Sequence, residues 1–286
     1  MRKKILLCGS NSYIGKNFIK FTAGDFIVDQ LDLTTDSWKK FNFLGYDAII
    51  HLAAIVHRPK ETNELLYKQV NTILPIEVAT KAIEHGVKQF VFMSTMGVWG
   101  IDPSLDHPGN ISKDSIYEPS LLYATSKYQA EIDLVKLRKS RNFSLSIVRP
   151  PLVYGDNCPG NYFRYMKLCA KYLPLFPLMR KNKFSMISIE NLCVKLKEII
   201  ETNTEGVICP HDPQLLSTTD RIATLAKGYN RFHYQSVFLG FLLKIFYKGF
   251  PLKQIRNLFG DLYYDESLDE PIPFSQINYK TIQNKG

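Results

Sequence analysis

The chain of 286 residues is longer than one small domain, so a single large α/β unit or two lobes that share a core are expected. Its composition, with 45% apolar and 13% aromatic residues, is ordinary for a soluble protein that buries a sizeable core. The net charge of +9 is spread along the chain without a long basic run, which argues against a nucleic-acid partner; an anionic small ligand or an unspecialised basic surface accounts for it equally well.

Neither export nor a membrane span is predicted. The N-terminal stretch MRKKILLCGS carries basic residues, but its apolar run ends at once in a glycine turn, unlike a signal peptide. No apolar stretch approaches the roughly 20 residues that cross a bilayer. The cysteines form neither a CxxC pair nor a zinc-binding spacing, so free thiols in the cytoplasm and no metal site are expected; they are Cys8, Cys158, Cys169, Cys193 and Cys209.

Short apolar runs alternate with stretches of helical spacing along the first 150 residues. Strands are predicted, in chain order, at KKILLCGS, DFIVDQLDL, YDAIIHLAA, KQFVFMST and FSLSIVRP. Helices are predicted between them at YIGKNFIKFTAG, at LPIEVATKAIEHGV with Gly86 as its C-cap, and at YATSKYQAEIDLVKLRK. This alternation predicts βαβ units, so the expected fold class is α/β with a doubly wound parallel sheet.

The sequence changes character near residue 155. After RPPLVYGDNCPGN, prolines, aromatic residues and lysines crowd together as far as residue 184. FSMISIENLCVKLKEIIE then predicts a strand and a helix, and GVICPH predicts one more strand. We predict two lobes that interleave in sequence: a larger domain of residues 1–155, to which residues 185–210 return, and a smaller lobe of residues 156–184 and 211–286.

Three stretches predict a ligand site at the carboxyl ends of the strands. Gly9 and Gly15 bracket the turn CGSNSYIG, where glycines permit positive φ and let a diphosphate approach the helix N-terminus. HLAA, residues 51–54, ends the third strand in small residues that leave room for a flat ligand, and Thr95 in MSTMGVWG offers a hydroxyl at the same edge. Taken singly, a plain tight turn, core packing and a satisfied strand-end hydroxyl are the alternatives.

In LLYATSKYQAE, Tyr123 and Lys127 stand four residues apart and share one helix face. A phenol titrates near ~10, too high for a base at neutral pH, and the nearby ammonium is expected to lower that pKa. Tyr123 would then take a proton from a substrate alcohol while hydride leaves the carbon, with Thr95 hydrogen-bonded to the same oxygen. A solvated helix face with a chance Tyr–Lys pair is the alternative, which the neighbouring motifs disfavour.

These motifs, with VNTILP and IVRPPLVYG, resemble the extended short-chain dehydrogenase/reductase superfamily, in its NAD-dependent epimerase/dehydratase branch, over residues 3–225. The resemblance implies a Rossmann-like dinucleotide-binding domain with a smaller C-terminal substrate-binding lobe, NAD as cofactor with NADP possible, and a catalytic triad of Thr95, Tyr123 and Lys127. The implied cofactor contacts are Gly9, Ser12, Tyr13, Ile14 and Gly15 at the pyrophosphate, Asp32 and Leu33 at the adenine, Ala53, Ala54 and Asn71 beside the ribose and nicotinamide, and Leu52, Ser94, Pro150, Tyr123 and Lys127 elsewhere around the cofactor.

Two departures and one acidic residue bear on the cofactor. Ser12 replaces the middle glycine of the usual GxxGxxG pattern, and the segment between Gly24 and Asp36 is short, so two strands are compressed there. Asp29 is interpreted as the acidic residue that accepts the adenosine ribose hydroxyls, which would favour NAD over NADP.

Members of this family act mostly on nucleotide-linked sugars, and the chain resembles those of bacterial surface-polysaccharide synthesis that take UDP-hexoses or UDP-N-acetylhexosamines. The resemblance places Thr95 and Asn161, in CPGNYFRYMK, at the substrate. Lys183 falls where many members carry an arginine on the diphosphate; a lysine keeps the charge but loses the bidentate fork. A homodimer is also implied.

The reaction type is narrowed by Met96 and Gly97, which stand where sugar 4,6-dehydratases carry an Asp–Glu pair. Neither side chain transfers a proton, so dehydration is set aside. We predict a 4-epimerase, with a one-way 4-keto-sugar reductase as the alternative, because the triad serves both reactions. A non-catalytic dinucleotide sensor or scaffold is a further alternative, although such relatives typically lose the tyrosine or lysine that this chain keeps.

The segment FHYQSVFLGFLLKIFYKGF, residues 232–250, is aromatic and basic. It is too short to span a bilayer, and two interpretations are open: an amphipathic surface for membrane association, or a helix of the smaller lobe packed over the substrate. The second is favoured.

Overall fold

The computed structural model describes residues 2–56, 61–178, 182–250, 252–277 and 279. These ranges form a parallel sheet flanked by helices, and a smaller lobe. The strands are β1 (Lys4–Cys8), β2 (Ile27–Leu31), β3 (Ala48–His51), β4 (Gln89–Met93), β5 (Asn110–Ile111), β6 (Ser144–Val148), β7 (Leu152–Tyr154), β8 (Leu175–Pro177), β9 (Met186–Ser188), β10 (Gly206–Ile208), β11 (Tyr234–Ser236) and β12 (Tyr263–Tyr264). The helices are α1 (Tyr13–Phe21), α2 (Glu64–Tyr67), α3 (Leu74–Glu84), α4 (Leu122–Ser140), α5 (Asn161–Tyr172), α6 (Ile189–Thr202), α7 (Thr218–Gly228), α8 (Val237–Gly249) and α9 (Lys253–Phe259).

The central sheet has the strand order β10-β6-β4-β3-β1-β2 across the described ranges, and its neighbouring strands are parallel. From β1 the chain winds to one side to form β2 and then to the other side to form β3. The winding direction therefore reverses between β1 and β3, and open α/β sheets bind ligands in the crevice at such a point. The predicted α/β fold with a doubly wound parallel sheet is confirmed.

Both faces of the sheet are covered, which is why its strands are continuous apolar runs rather than alternating ones. Alternate residues of β1 face opposite layers. Leu6 and Cys8 pack into the cluster that contains α3 and α4 residues, and Ile5 and Leu7 pack into the cluster that contains α1 and α6 residues. The sheet edge where ligands are expected is thus set by a rigid core on both sides.

The smaller lobe has its own core, in which α5 packs against α7. The cluster contains Met166, Ala170, Phe176, Phe184, Met186, Ile222, Ala226 and Phe259. The chain enters this lobe through β7 and leaves it through β9, and these two strands pair in parallel with Leu152 beside Met186. The two crossings between the sheet and the smaller lobe therefore lie side by side. The interleaved division of the chain into two lobes stays a prediction.

The C-terminal segment differs from the predicted division of the chain. β12 pairs with β5, and Ile272 exchanges backbone hydrogen bonds of 2.8 and 2.9 Å with Val207 of β10. Tyr264, Leu268 and Ile272 belong to the core of the sheet. The prediction assigned residues 211–286 to the smaller lobe. Residues 263–272 of that range instead return to the larger domain, because their apolar side chains are buried there. The remaining boundaries stay a prediction.

Two further expectations concern free thiols and the lack of a membrane-spanning helix. All five cysteines are free thiols. Within the described ranges, no helix combines the length and the apolar character needed to cross a membrane.

Candidate active site

The turn between β1 and α1 is held against the end of β3 by a close backbone approach. Gly9 has a φ of +119°, and a Cβ there would lie 2.8 Å from the backbone nitrogen of Ala53. The carbonyl of Cys8 accepts hydrogen bonds from the N–H groups of Leu52 at 2.8 Å and Ala53 at 3.0 Å. Conformation and contact both exclude a side chain at residue 9. The predicted glycine turn and the HLAA stretch therefore meet at the point where the winding reverses.

The first turn of α1 carries backbone N–H groups that the helix itself cannot pair. Ser12 is the N-cap, and its Oγ accepts a hydrogen bond from the N–H of Gly15 at 3.3 Å. No acidic residue lies in the first turn of this fully described helix, so the positive end of its dipole suits an anion. The Tyr13 hydroxyl donates to the carbonyl of Asp156 at 3.0 Å, which ties the turn to the start of the smaller lobe.

The two acidic residues of the β2 region have different surroundings. Asp32 directly follows β2 and is exposed; the N–H of Thr34 donates to its Oδ1 at 2.8 Å, and hydrogen bonds from Thr34 lower the pKa of the Asp32 carboxyl. Asp29 lies two residues before the strand ends. Its carboxylate accepts a hydrogen bond from the Tyr46 hydroxyl at 2.6 Å and pairs with Lys4 at 3.2 Å. Asp29 is thus engaged within the strand, and Asp32 is the acidic group at the sheet edge.

Asn71 lies in a segment for which the sequence pattern predicts no secondary structure. Its side chain hydrogen-bonds to the chain after β3 and to α4. Residues 64–73 form α2 and a π-helical turn, and the Asn71 side chain is fully buried there. Its Oδ1 accepts from the N–H of Ile55 at 2.8 Å, and its Nδ2 donates to the Ile55 carbonyl at 3.2 Å and to Ser126 Oγ at 3.1 Å. Single π-helical turns are frequent at functional sites. Here the turn fixes the chain after HLAA against α4.

Thr95 directly follows β4 and caps the short turn Met96–Trp99. Its Oγ1 accepts a hydrogen bond from the N–H of Gly97 at 3.1 Å. A Cβ at Gly97 would lie 3.5 Å from this Oγ1 and 3.4 Å from the Cβ of Ala124. Because Ala124 adjoins Tyr123, these contacts bring Thr95 to the N-terminal turn of α4, which also carries Lys127. Thr95 and Tyr123 are both partly exposed as whole residues.

Lys127 is buried and held by the sheet. Its Nζ donates to the carbonyl of Met93 at 2.8 Å and lies 4.5 Å from the centroid of the Phe92 ring. Burial lowers the pKa of Lys127 to about 7, against an opposing effect of Glu131. Burial also raises the pKa of the Tyr123 phenol. The expected lowering of the Tyr123 pKa by Lys127 is therefore wrong, because desolvation disfavours the charged form of both groups.

Ser94 bonds to a buried ion pair behind the triad. Its hydroxyl donates to Glu131, and the side chains of Glu131 and Arg149 are both fully buried. Arg149 Nε donates to Glu131 Oε1 at 3.0 Å, and the Tyr279 hydroxyl donates to Oε2 at 3.1 Å. No sequence pattern predicted this network. Its only local signal is the position of Glu131, one helical turn after Lys127 on α4. The predicted cofactor role of Ser94 stays a prediction, with its hydroxyl already engaged.

Three predicted cofactor residues contribute packing or backbone groups. The carbonyl of Pro150 accepts a hydrogen bond from the N–H of Met96 at 3.0 Å. Leu33 is buried in the core, and Ile14 packs against the layer formed with α6. Their roles toward a cofactor also stay predictions.

Two of the predicted substrate residues, Asn161 and Lys183, belong to the smaller lobe. Asn161 begins α5, but its side chain lies outside the described residues. Lys183 is exposed; its backbone N–H donates to Asp261 at 2.6 Å and its Nζ lies 5.3 Å from the centroid of the Tyr263 ring. Helix α5 also carries a basic stripe that no sequence pattern predicted, formed by Arg164, Lys167 and Lys171. The stripe lines a cleft of about 490 Å³. Both cationic elements suit an anionic substrate.

Comparison with known proteins identifies the family. The sequence model of the NAD dependent epimerase/dehydratase family matches residues 5–173. The chain belongs to this family. UDP-glucose 4-epimerase of Vibrio cholerae is 30% identical over 93% of this chain and 88% of that protein. N-acetyl-α-D-glucosaminyl-diphospho-ditrans,octacis-undecaprenol 4-epimerase of Escherichia coli O157:H7 is 26% identical over 59% of this chain and 55% of that protein.

The solved structures agree on the fold. UDP-glucuronic acid 4-epimerase of Bacillus cereus, solved with NAD, superimposes with a TM-score of 0.66, at 19% identity, over 82% of this chain and 85% of that one. The family assignment confirms the predicted resemblance, the prediction of an enzyme and NAD as its cofactor.

The crevice fits the diphosphate of such a cofactor. Gly9 allows the backbone to come close where a side chain would collide, and the N-terminal N–H groups of α1 lie next to it. Gly15 faces Leu52, whose Cδ1 would lie 3.2 Å from a Cβ at residue 15. Asp32 stands at the exit of β2. The adenine role predicted for Asp32 and the ribose role predicted for Asp29 stay predictions.

Proposed function

We propose that the protein is a 4-epimerase that acts at C4 of a nucleotide-linked sugar, either a UDP-hexose or a UDP-N-acetylhexosamine. The observation that carries this proposal is the meeting of Thr95 with the N-terminal turn of α4, the helix of Tyr123 and Lys127. This meeting lies at the carboxyl ends of the strands, the end of the sheet at which Gly9 also lies. Similarity to UDP-glucose 4-epimerase over 93% of the chain supports a UDP-sugar as substrate.

Each member of the triad has a distinct task. NAD, when bound, supplies the acceptor and the donor of hydride at C4. The Thr95 hydroxyl hydrogen-bonds the C4 oxygen, and Tyr123 takes its proton during oxidation and returns it during reduction. Lys127 follows Tyr123 by four residues on the same helix face, and its charge favours the phenolate whenever Lys127 is protonated.

Two features of the chain shape the course of the reaction. Burial raises the Tyr123 pKa, so Tyr123 acts as a base only when a nearby positive charge, that of protonated Lys127 or of oxidised NAD, opposes this effect. Met96 and Gly97 offer no proton, so the 4-keto sugar meets no acid–base pair for elimination of water at these positions. The outcome left to the site is hydride return, to either face of the keto carbon.

A second candidate substrate is an N-acetylhexosamine carried on a polyprenyl diphosphate. The Escherichia coli relative acts, by name, on such a sugar. Helix α8 also exposes large apolar side chains in the substrate lobe. Both kinds of substrate share the sugar diphosphate, for which the basic stripe of α5 and Lys183 supply charge.

The test is an assay of the purified protein with UDP-glucose, UDP-galactose, their N-acetyl counterparts and a short-chain polyprenyl-diphosphate N-acetylhexosamine, followed by proton NMR. A 4-epimerase interconverts a C4 pair with no stoichiometric consumption of NADH. A parallel assay with a UDP-4-keto sugar and NADH tests the alternative: consumption of one NADH per 4-keto sugar, with no interconversion of the C4 pairs, would identify the reductase instead. Binding of NAD with neither activity would identify a sensor or scaffold. The Tyr123→Phe variant is the control for adventitious enzyme.

The expected homodimer and cytoplasmic location stay predictions.

A further inference from the structure

Helix α8 presents an apolar face to solvent. Of its residues, all of which are described, Gly240 alone is buried. Phe238, Phe241 and Ile245 are 67%, 60% and 54% exposed, and they follow one another at helical spacing along one side. We define the α8 face as the exposed apolar residues of this region: Phe232, Val237, Phe238, Phe241, Leu242, Ile245, Phe246, Phe250 and Leu252.

The exposure of the α8 face does not arise from a wrong orientation of the helix about its axis. The inner side is anchored at Gly240, where a Cβ would lie 2.6 Å from the carbonyl oxygen of Leu178. Leu239 and Leu243 are partly buried on this inner side, and Ser236 caps the helix by accepting the N–H of Leu239 at 3.2 Å. The helix is therefore apolar on both sides, and rotation about its axis would only exchange one apolar face for another. A large exposed apolar side of this kind normally marks a surface that a partner covers.

The chain segment that carries the α8 face has charge of one sign, and the neighbouring Asp261 lies beside Lys244 in a cleft that Gly240 also lines. Between Asp220 and Asp261 the sequence contains no aspartate or glutamate, but seven lysines and arginines. Arg221 is buried and Arg256 pairs with Asp102 at 2.8 Å. The other five are exposed; they are Lys227, Arg231, Lys244, Lys248 and Lys253. Large exposed apolar patches mark interaction sites, and this one is set among cations.

We propose that the α8 face docks on the surface of a lipid bilayer that contains anionic phospholipids. The phenylalanines enter the boundary between headgroups and acyl chains, and the exposed lysines and arginines contact lipid phosphates. The 13 residues of α8 are too few to cross the bilayer, so the helix lies in the plane of the interface. The inference goes beyond the proposed function and does not depend on the sugar that the active site takes.

Charge complementarity decides between a bilayer and a second copy of the chain. In a two-fold symmetric contact the same patch lies on both sides, so the cations around α8 would face each other. Over these forty residues there is no acidic side chain to compensate that repulsion. An anionic bilayer offers both an apolar interior and the opposite charge.

The test is co-sedimentation of the full chain with vesicles of phosphatidylcholine alone and of phosphatidylcholine with about 30% phosphatidylglycerol. We expect binding to the anionic vesicles that weakens with added salt. The double variant Phe238→Glu/Ile245→Glu should reduce the partition coefficient at least about tenfold. The matched control is Leu44→Glu/Val194→Glu, which adds the same charge at side chains 64% and 61% exposed elsewhere and should bind like the wild type.

A second variant separates charge from apolar contact. Lys244→Gln/Lys248→Gln keeps the apolar residues and should weaken binding at least about fivefold, and only to anionic vesicles. The inference is overturned if the wild type does not bind anionic vesicles, or if the α8 variants bind as well as the control. It is also overturned if sedimentation velocity without lipid shows a dimer that Phe238→Glu/Ile245→Glu alone dissolves. Unchanged turnover of a soluble UDP-sugar by the α8 variants keeps this result independent of the proposed function.

Discussion

The ammonium of Lys127 donates a hydrogen bond of 2.8 Å to the carbonyl of Met93, the last residue of β4. This bond joins the helix of the triad to the strand that leads, two residues later, to Thr95. It also keeps the ammonium in a buried position, where its pKa falls to about 7. The three residues of the triad are thus linked through the end of one strand.

We expect Tyr123→Phe to lower turnover by roughly 10² to 10⁴-fold, the usual contribution of a general acid–base group. The ring keeps its packing, so affinity for NAD should be nearly unchanged. Steady-state kinetics and calorimetric titration with NAD measure the two quantities. Wild-type turnover in this variant would remove Tyr123 from the mechanism.

We expect Lys127→Met to weaken NAD binding and lower the rate, with partial recovery of the rate at higher pH, where the tyrosinate forms without help. Unchanged affinity together with no recovery would contradict both roles.

The stability of the same variant has a predicted pH dependence. The Lys127 pKa is about 7 in the folded protein and near ~10.4 in an unfolded chain. Between these values the unfolded state binds more protons, so wild-type stability rises with pH, by up to about 1.4 kcal/mol per unit. Lys127→Met lacks this term. Its stability relative to wild type should therefore be highest near pH 7 and fall toward pH 9.5, as measured by urea denaturation. A constant difference would show that Lys127 is charged in the folded state.

Ser12 tests the glycine turn. Ser12→Gly should cost only a few tenths of a kcal/mol, since glycine also serves as an N-cap, and should leave NAD affinity almost unchanged. Ser12→Leu should weaken dinucleotide binding sharply through steric exclusion while the fold stays intact. Titration of both variants with NAD and NADP gives the affinities, and circular dichroism checks the fold. Equal affinity of both variants would place the dinucleotide elsewhere.

The ion pair behind the triad should respond asymmetrically. Glu131→Leu leaves Arg149 buried without its partner and should cost about 3–5 kcal/mol of unfolding free energy. The double variant Glu131→Leu/Arg149→Met should recover much of that loss, because no buried charge remains. A denaturant-based double-mutant cycle measures the coupling. Additive effects of the two single changes would mean that the pair is not coupled.

Local pattern was sufficient for several parts of the site. The apolar strands, Gly9 in its turn, and the spacing of Tyr123 and Lys127 depend on neighbours in sequence, through side-chain periodicity and φ restrictions. For the same reason the sequence located Thr95 at the end of a strand. Sequence alone gave the wrong direction for the Tyr123 pKa, since a phenol and an ammonium four residues apart interact according to the burial that surrounds both.

The amino-acid sequence by itself determined the order of the main sheet strands and of the helices between them, the glycine turn, and the positions of the residues proposed as the triad. Only the tertiary structure decided that Asn71 contacts Ser126, that Glu131 pairs with Arg149, that Ile272 returns to the sheet beside Val207, and that α8 leaves an apolar face uncovered. These features unite residues far apart in sequence or depend on which face of an element is covered. Desolvation and long-range pairing act only between groups that the completed fold has brought together, so no local pattern encodes them.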